Sequence, residues 1–169
     1  MIPVACKQIE VYLFRRRARR VEFLLLRRSA DRTLPLVWQP VTGGIEKRET
    51  AYRAAAREVH EETGLTPLRW WVLQHLTTYY EVASDAIRVL PLFAAEVAEA
   101  DAVHLSHEHD RYAFVSPAAA ARRVLWATQR AALKAVRDEI LCGGPQAAAR
   151  DITARIPARI TAPFQKEKR

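Results

Sequence analysis

Residues 43–65 read GGIEKRETAYRAAAREVHEETGL, and this stretch decides the fold. Gly43 opens it and Gly64 closes it. Between Thr50 and Glu62 there is no Gly or Pro, and Ala, Arg and Glu dominate, all good helix formers. The pattern predicts a helix over 50–62 that stops at Gly64, where a left-handed residue commonly ends a helix. On that helix Glu58, Glu61 and Glu62 fall at i, i+3 and i+4, so their carboxylates share one face. Three like charges on one face repel unless a cation compensates. Oxygen donors of this kind suit a hard divalent ion, Mg²⁺ or Mn²⁺. The plain alternative is a solvated, charged surface helix.

With Glu49 and Arg57 added, the stretch resembles the Nudix box, G-x5-E-x7-R-E-U-x-E-E-x-G-U, where U is a bulky aliphatic residue. Gly43, Glu49, Arg57, Glu58, Val59, Glu61, Glu62, Gly64 and Leu65 fill its specified positions. The resemblance implies an α/β/α sandwich with a mixed sheet between helices. It also implies metal-dependent cleavage of a diphosphate bond in a nucleoside diphosphate linked to another group. By family analogy, Glu58, Glu61 and Glu62 are expected as metal ligands, joined by the Gly43 backbone carbonyl. Glu58, Glu61 and Arg57 are expected to serve catalysis. Arg57, always charged and suited to planar pairing with carboxylates, is expected with Glu49 to hold loop and helix together.

Two further segments narrow the resemblance. WQPVTGGIE (38–46) and HEHDRYAFVSPAAAARRVLW (107–126), followed by QRAAL (129–133), are similar to bacterial dihydroneopterin triphosphate pyrophosphatases. Glu46-Lys47-Arg48 replaces the E-x-G turn common before the first box glutamate. Within HEHD, Glu108 is expected to fold back onto the acidic helix as an extra metal ligand or general base; solvation in a surface loop is the alternative. His107 and His109 make a weak HxH metal signal. Trp38 is a candidate to stack on a nucleobase or pterin, or else a half-buried core residue. Trp70, Trp71 and Trp126 are expected in the core or an interface. Tyr80 lies where dinucleoside polyphosphate hydrolases tend to carry a tyrosine.

Composition agrees with one enzyme domain. A chain of 169 residues, half of them hydrophobic and 27% charged, is ordinary for a single globular domain. The N-terminus lacks the basic start and apolar run of a signal peptide, and no stretch reaches the ~20 apolar residues of a membrane helix. A cytoplasmic protein is expected. Cys6 and Cys142 are expected as buried, reduced thiols. The net charge is +8. Residues 143–169 hold six basic and two acidic residues, so half of that charge sits in a basic tail, extended where ordered, behind a 1–142 catalytic domain. RRRARR (15–20) is expected as a solvated hairpin turn, with steering of a polyanion as its functional reading.

Val4–Phe14 and Val21–Leu26 are expected as strands, 30–40 as a loop, and 77–82 and 87–97 as strands joined by a turn at 83–86. Pro91 places part of the second strand at an edge or a bulge. Tyr112–Val115 is a short strand, and Ser116-Pro117 starts a helical region running to about Leu141, interrupted near Trp126. The function expected is Mg²⁺-dependent pyrophosphohydrolysis of a nucleotide-like triphosphate, dihydroneopterin triphosphate or a (deoxy)nucleoside triphosphate. A dinucleoside polyphosphate or nucleotide sugar is the runner-up substrate. A non-catalytic nucleotide- or RNA-binding protein is the different-class alternative, although no aromatic-interleaved basic platform supports nucleic acid. The expected partners are a small nucleotide-like substrate and, as an option, a second copy of the chain; no membrane is expected.

Overall fold

The structure is a computed structural model and describes residues 1–157; the rest of the basic tail lies outside the described residues. Its elements are β1 (Val4–Ala5), β2 (Gln8–Arg17), β3 (Arg20–Arg28), β4 (Trp38–Gln39), β5 (Val41–Gly44), α1 (Ala51–Thr63), β6 (Arg69–Glu81), β7 (Ala86–Glu96), β8 (His109–Val115), α2 (Pro117–Arg123), α3 (Ala127–Val136) and α4 (Pro145–Ala149). One mixed sheet holds all eight strands, and helices cover both of its faces, the α/β/α sandwich expected.

Strand β2 explains the architecture. Ile9–Phe14 is buried without interruption because both faces of this strand are covered, so alternation disappears. Ile9, Val11 and Leu13 point to the α1 side, where they meet Ala54, Ala55 and Val59 of that helix. Tyr12 and Phe14 point to the other side, against Ala132, Leu133 and Val136 of α3. Alanines in α1 let that helix lie close to the sheet.

β2 pairs with β7 in parallel through Glu10–Phe14, and with β3 antiparallel through Phe14–Arg17. Before Phe14 it runs clear of β3, and β5 takes that edge with Glu10 opposite Thr42 and Ile9 opposite Gly43. β5 pairs with no other strand, while β4 stays beside β3. Trp38–Gln39 therefore forms a short strand inside the segment expected to be loop.

Pro91 sits at a bulge: it pairs with Leu76 where the β6 register shifts between Val72 and Leu76. β7 is nonetheless an interior strand. Its β1 ladder ends at Arg88 and its β2 ladder begins at Leu92, so the missing proline N–H falls between them. Ser116 caps α2 by accepting from the Ala119 N–H at 3.3 Å, and the helical region breaks before Trp126. The arginine hairpin turns at Ala18, and three of its arginines are ion-paired: Arg15 with Glu22, Arg16 with Glu96 and Arg17 with Glu99.

Two expectations are corrected and a third is narrowed. Both cysteines are exposed, because Cys6 lies in the β1–β2 connection and Cys142 follows the last helical turn before Gly143. Trp70 and Trp71 are core residues as expected, but Trp126 is 52% exposed at the start of α3, which takes it out of the core and leaves the interface alternative. The segment after Gly143 is helical and docked where described, not extended. The Val72 N–H donates to Arg150 O, the Ile152 N–H to Trp70 O, and the Trp70 N–H to Thr153 Oγ1, so this segment extends the β6 edge. Among the described residues, no helix is long and apolar enough to cross a membrane.

Candidate active site

Helix α1 ends at Gly64 in the left-handed conformation (φ 69°). The chain returns to that end through the loop before β8. The His104 N–H donates to Thr63 O at 2.8 Å and the Ser106 N–H to Glu62 O at 3.3 Å. This docking brings HEHD to the acidic face. Glu58, Glu61, Glu62, Ser106, His107 and Glu108 together line an open cavity of about 150 Å³. At roughly 30 Å³ per water, that is room for an ion and several waters.

Strand β5 closes the near side. A Cβ at Gly43 would lie 1.9 Å from Glu58 Cδ, so only glycine lets the strand pass so close to the acidic helix. Arg57 ties β5, loop and helix together. Its Nε and Nη2 form a fork with the two Glu49 oxygens, both at 3.0 Å, and Nη2 also donates to Gly44 O at 2.8 Å. Its Nη1 donates to Glu58 at 2.8 Å and Glu61 at 3.0 Å. Glu49 in turn accepts from the Glu46 N–H, closing the turn that precedes the helix. Burial alone would raise the Glu49 carboxyl, but Arg57 and that N–H outweigh it and hold it below its ordinary value.

Electrostatics single out Glu62. It is 5% exposed, and its buried Oε2 has no hydrogen-bond partner. Burial, then the charges of Glu58 and Glu108, push its carboxyl well above the ordinary range. Glu58 is also raised by burial, in spite of Arg57 beside it. A buried, orphaned carboxylate facing two others is costly unless a cation shares the site. Oxygen donors of this kind fit a hard divalent ion. Among the described residues, however, no three ligating groups are gathered closely enough to hold an ion as they stand. Arg57 holds Glu58 and Glu61, and Arg32 Nη2 lies 3.5 Å from Glu108. Each of these pairs engages one oxygen of Glu58, Glu61 and Glu108 and leaves the other for an ion, so gathering an ion calls for these side chains to converge.

Trp38 stands apart from this cavity. It packs against the α3-side core, with the Arg123 guanidinium 5.3 Å from its ring centroid. Tyr80 lies at the far end of the β6–β7 hairpin, 52% exposed, and donates to Asp85 at 2.8 Å.

Some residues of the site carry no warning in the sequence. Arg28, the last residue of β3, bears on Glu62, and Arg32 of the β3–β4 connection bears on Glu108. His109, separated from His107, is buried beside Gln39, and burial brings its imidazole down to about 4. The alternation of HEHD was the one available signal for that split. Asp110, which looks solvated in sequence, makes a two-pronged pair with Arg27 at 2.8 and 2.6 Å.

Known proteins resemble this chain in sequence and fold. The asymmetrical bis(5'-nucleosyl)-tetraphosphatase of Caenorhabditis elegans is 32% identical over 108 residues, covering 63% of this chain and 75% of that one. Among solved structures, the MutT protein of Methanosarcina mazei Go1 matches with a TM-score of 0.64 at 27% identity, over 79% of this chain and 92% of that one. The Escherichia coli dihydroneopterin triphosphate pyrophosphohydrolase shares the fold, with a TM-score of 0.62 at 24% identity over 79% of this chain and 96% of that one. The NUDIX domain family profile matches residues 7–136. That match runs from β2 through α3 and takes in the strands and helix that build the acidic cavity, so the protein belongs to the Nudix hydrolase family.

Proposed function

We propose that the protein is a Mg²⁺- or Mn²⁺-dependent pyrophosphohydrolase that cleaves a diphosphate bond in a nucleotide-like triphosphate. Dihydroneopterin triphosphate and the (deoxy)nucleoside triphosphates are the leading substrates. One observation carries this reading: the orphaned, buried Glu62 carboxylate faces Glu58 and Glu108 across an open cavity. Glu58, Glu61, Glu62 and Glu108, with the Gly43 carbonyl, would hold the ion. When bound, the ion neutralises diphosphate charge and lowers the pKa of a water. Glu108, the more solvent-accessible partner of Glu62, is suited to take the proton of the attacking water. Arg57 and Glu49 keep β5 and α1 in register so that the carboxylates converge.

A second reading, hydrolysis of a dinucleoside polyphosphate, is favoured by the Caenorhabditis elegans relative. The basic C-terminal segment, in this reading, steers polyanionic substrates rather than recognising them. RNA binding without catalysis is disfavoured because the densest arginine cluster is largely engaged in ion pairs. A substrate panel with Mg²⁺, scored for pyrophosphate against orthophosphate, tests the proposal. Pyrophosphate release from a triphosphate is the expected result. Orthophosphate or nucleotide release from dinucleoside tetraphosphates alone supports the second reading, and no hydrolysis of any member refutes both.

A further inference from the structure

A second carboxylate site lies on the opposite face of the sheet. Glu10 of β2 is 5% exposed, yet among the described residues it takes part in no ion pair. Buried glutamates without a charged partner are rare, because the charge loses its hydration. The groups around Glu10 are hydrogen-bond donors instead. Tyr12 Oη donates to Glu10 Oε2 at 2.7 Å, and Gln129 of α3 and Thr77 of β6 face the same carboxyl. Thr77 is 3% exposed and its Oγ1 completes no hydrogen bond, so the floor of this site holds an unsatisfied polar group. A carboxylate offers about four acceptor positions, and Tyr12 fills one. Burial raises the Glu10 carboxyl, against the pull of Tyr12, Gln129 and Thr77 and of the His75 charge.

The position connects this carboxyl to the diphosphate site. Glu10 is the register partner of Thr42, the residue before Gly43, and neighbouring strands lie about 4.8 Å apart. Glu10 and the acidic cavity therefore flank the same short strand, on opposite faces. Among the described residues β5 pairs only with β2, so no strand covers its other edge. One aromatic side chain borders the site: Tyr79 reaches Gln8, two residues from Glu10, and is 40% exposed. The backbone N–H of Trp126 donates to Gln129 Oε1, which tethers the start of α3 beside the same carboxyl. Aromatic faces of this kind stack on flat heterocycles at little cost in sequence or orientation.

We propose that Glu10 reads the substrate's heterocycle, accepting two adjacent N–H donors from a 2-amino-4-oxo edge such as that of guanine or a pterin. This deepens the function proposed above and rests on it for the diphosphate half of the substrate. The pattern is specific: a ring N–H beside an exocyclic amino group matches two carboxylate oxygens, whereas adenine presents a ring acceptor beside its amino group and mismatches.

The test compares kcat/KM of the wild type and Glu10→Gln on GTP, dihydroneopterin triphosphate and ATP with Mg²⁺. Binding of GMP and AMP is followed in parallel by calorimetry without metal. The wild type is expected to prefer the 2-amino-4-oxo substrates and GMP. Glu10→Gln is expected to lower kcat/KM on them, and GMP affinity, about 10–100-fold, with ATP and AMP changed less than about threefold. Equal wild-type use of guanine and adenine compounds, or a preference for adenine, overturns the proposal even if the variant does not fold. An equal loss on all substrates overturns it too, since that marks a structural role for Glu10. Selective GMP binding without hydrolysis of any triphosphate would sink the catalytic reading while leaving the assignment of Glu10 intact. Hydrolysis without base preference would do the reverse.

Discussion

On the α1 face of the sheet, four carboxylates share one cavity with Arg57, Arg28 and Arg32 close by; on the α3 face, Glu10 sits among a phenol, an amide and a hydroxyl. Both faces bury a glutamate to the same 5% exposure. The contrast lies in what balances the charge. Glu62 is crowded by like charges and has an unpartnered oxygen, a state relieved by a bound cation or by taking up a proton. Glu10 has neutral donors about it and feels one imidazole, His75, a state that further N–H groups would complete. One site is built to gather positive charge and the other to recognise shape and hydrogen-bond pattern, with β5 between them.

The largest effect should come from the first site. Glu62→Gln removes one charge from the group facing the cavity without adding volume. Turnover with Mg²⁺ should fall at least about 100-fold, the upper end of what even outer-shell changes at metal sites cost. Near wild-type turnover in this variant would show that the cavity is not where the chemistry happens.

That site was the part of the molecule most legible in the sequence, because fixed spacing on one helix puts Glu58, Glu61 and Glu62 together whatever the tertiary fold. Glu108 could be singled out only through resemblance, since its approach depends on the His104 and Ser106 backbone bonds to the end of α1. Glu10 was invisible: in QIEVYLF it looks like the polar half of an alternating strand, and only cover on both faces turns it into a buried charge. Arg28 and Arg32 carry no signal of their own in the sequence, since their effect depends on the tertiary approach of Glu62 and Glu108. The docked segment after Gly143 was missed because its contacts to Trp70 and Val72 span some eighty residues, beyond any local pattern.

Arg57 should rank next. Arg57→Lys keeps the charge but cannot make the fork to Glu49 while also reaching Gly44 O, Glu58 and Glu61. Turnover should drop about 10–100-fold with little change in KM, as for a group that positions ligands. The same change should leave base preference untouched, since Glu10 lies across the sheet. A loss of base preference in this variant would mean that the two faces are not independent.

Removing residues 146–169 tests what the faces share. Trp70 belongs to the α1-side core and Trp71 to the α3-side core, and the C-terminal segment bonds the backbone of this edge. Exposing these groups should cost about 1–3 kcal/mol and lower Tm by several degrees. Restoring residues 146–157 alone should recover the loss. Full stability without the segment would show that each core closes on its own.

The pH dependence of stability separates the faces more finely. Glu10 and Glu62 are both raised above the ordinary carboxylate range, chiefly by burial. A raised carboxyl favours folding in full below its unfolded pKa, near 4.3, and that contribution is lost as pH rises through the folded value. Without metal, Glu10→Gln and Glu62→Gln should therefore each gain Tm relative to wild type as pH rises above about 4.5. Mg²⁺ should reverse the order for Glu62→Gln by stabilising only the wild type, and leave the Glu10→Gln difference unchanged. A Mg²⁺ response of the same size in both differences would erase the distinction between the faces.

The smallest effect concerns the turn that delivers Glu49 to Arg57. Arg48 occupies the left-handed region at φ 67°, at the position where the related box pattern commonly has glycine, and the turn is closed by the Glu49 N–H donating to Glu46 O at 3.1 Å. A side chain in that conformation costs about 1–2 kcal/mol. Glycine would relieve the strain but adds about 0.5–1 kcal/mol of freedom to the unfolded chain. Arg48→Gly should therefore stabilise by less than about 1.5 kcal/mol, a Tm rise of a few degrees at most for a chain of this size. Arg48→Ala keeps the strain and should gain nothing. Arg48 is exposed and touches neither face, so turnover should be unchanged in both variants. If Arg48→Gly instead slows turnover while raising Tm, the strained turn is setting the reach of Glu49 to Arg57, and the acidic face depends on a loop that the Glu10 face does without.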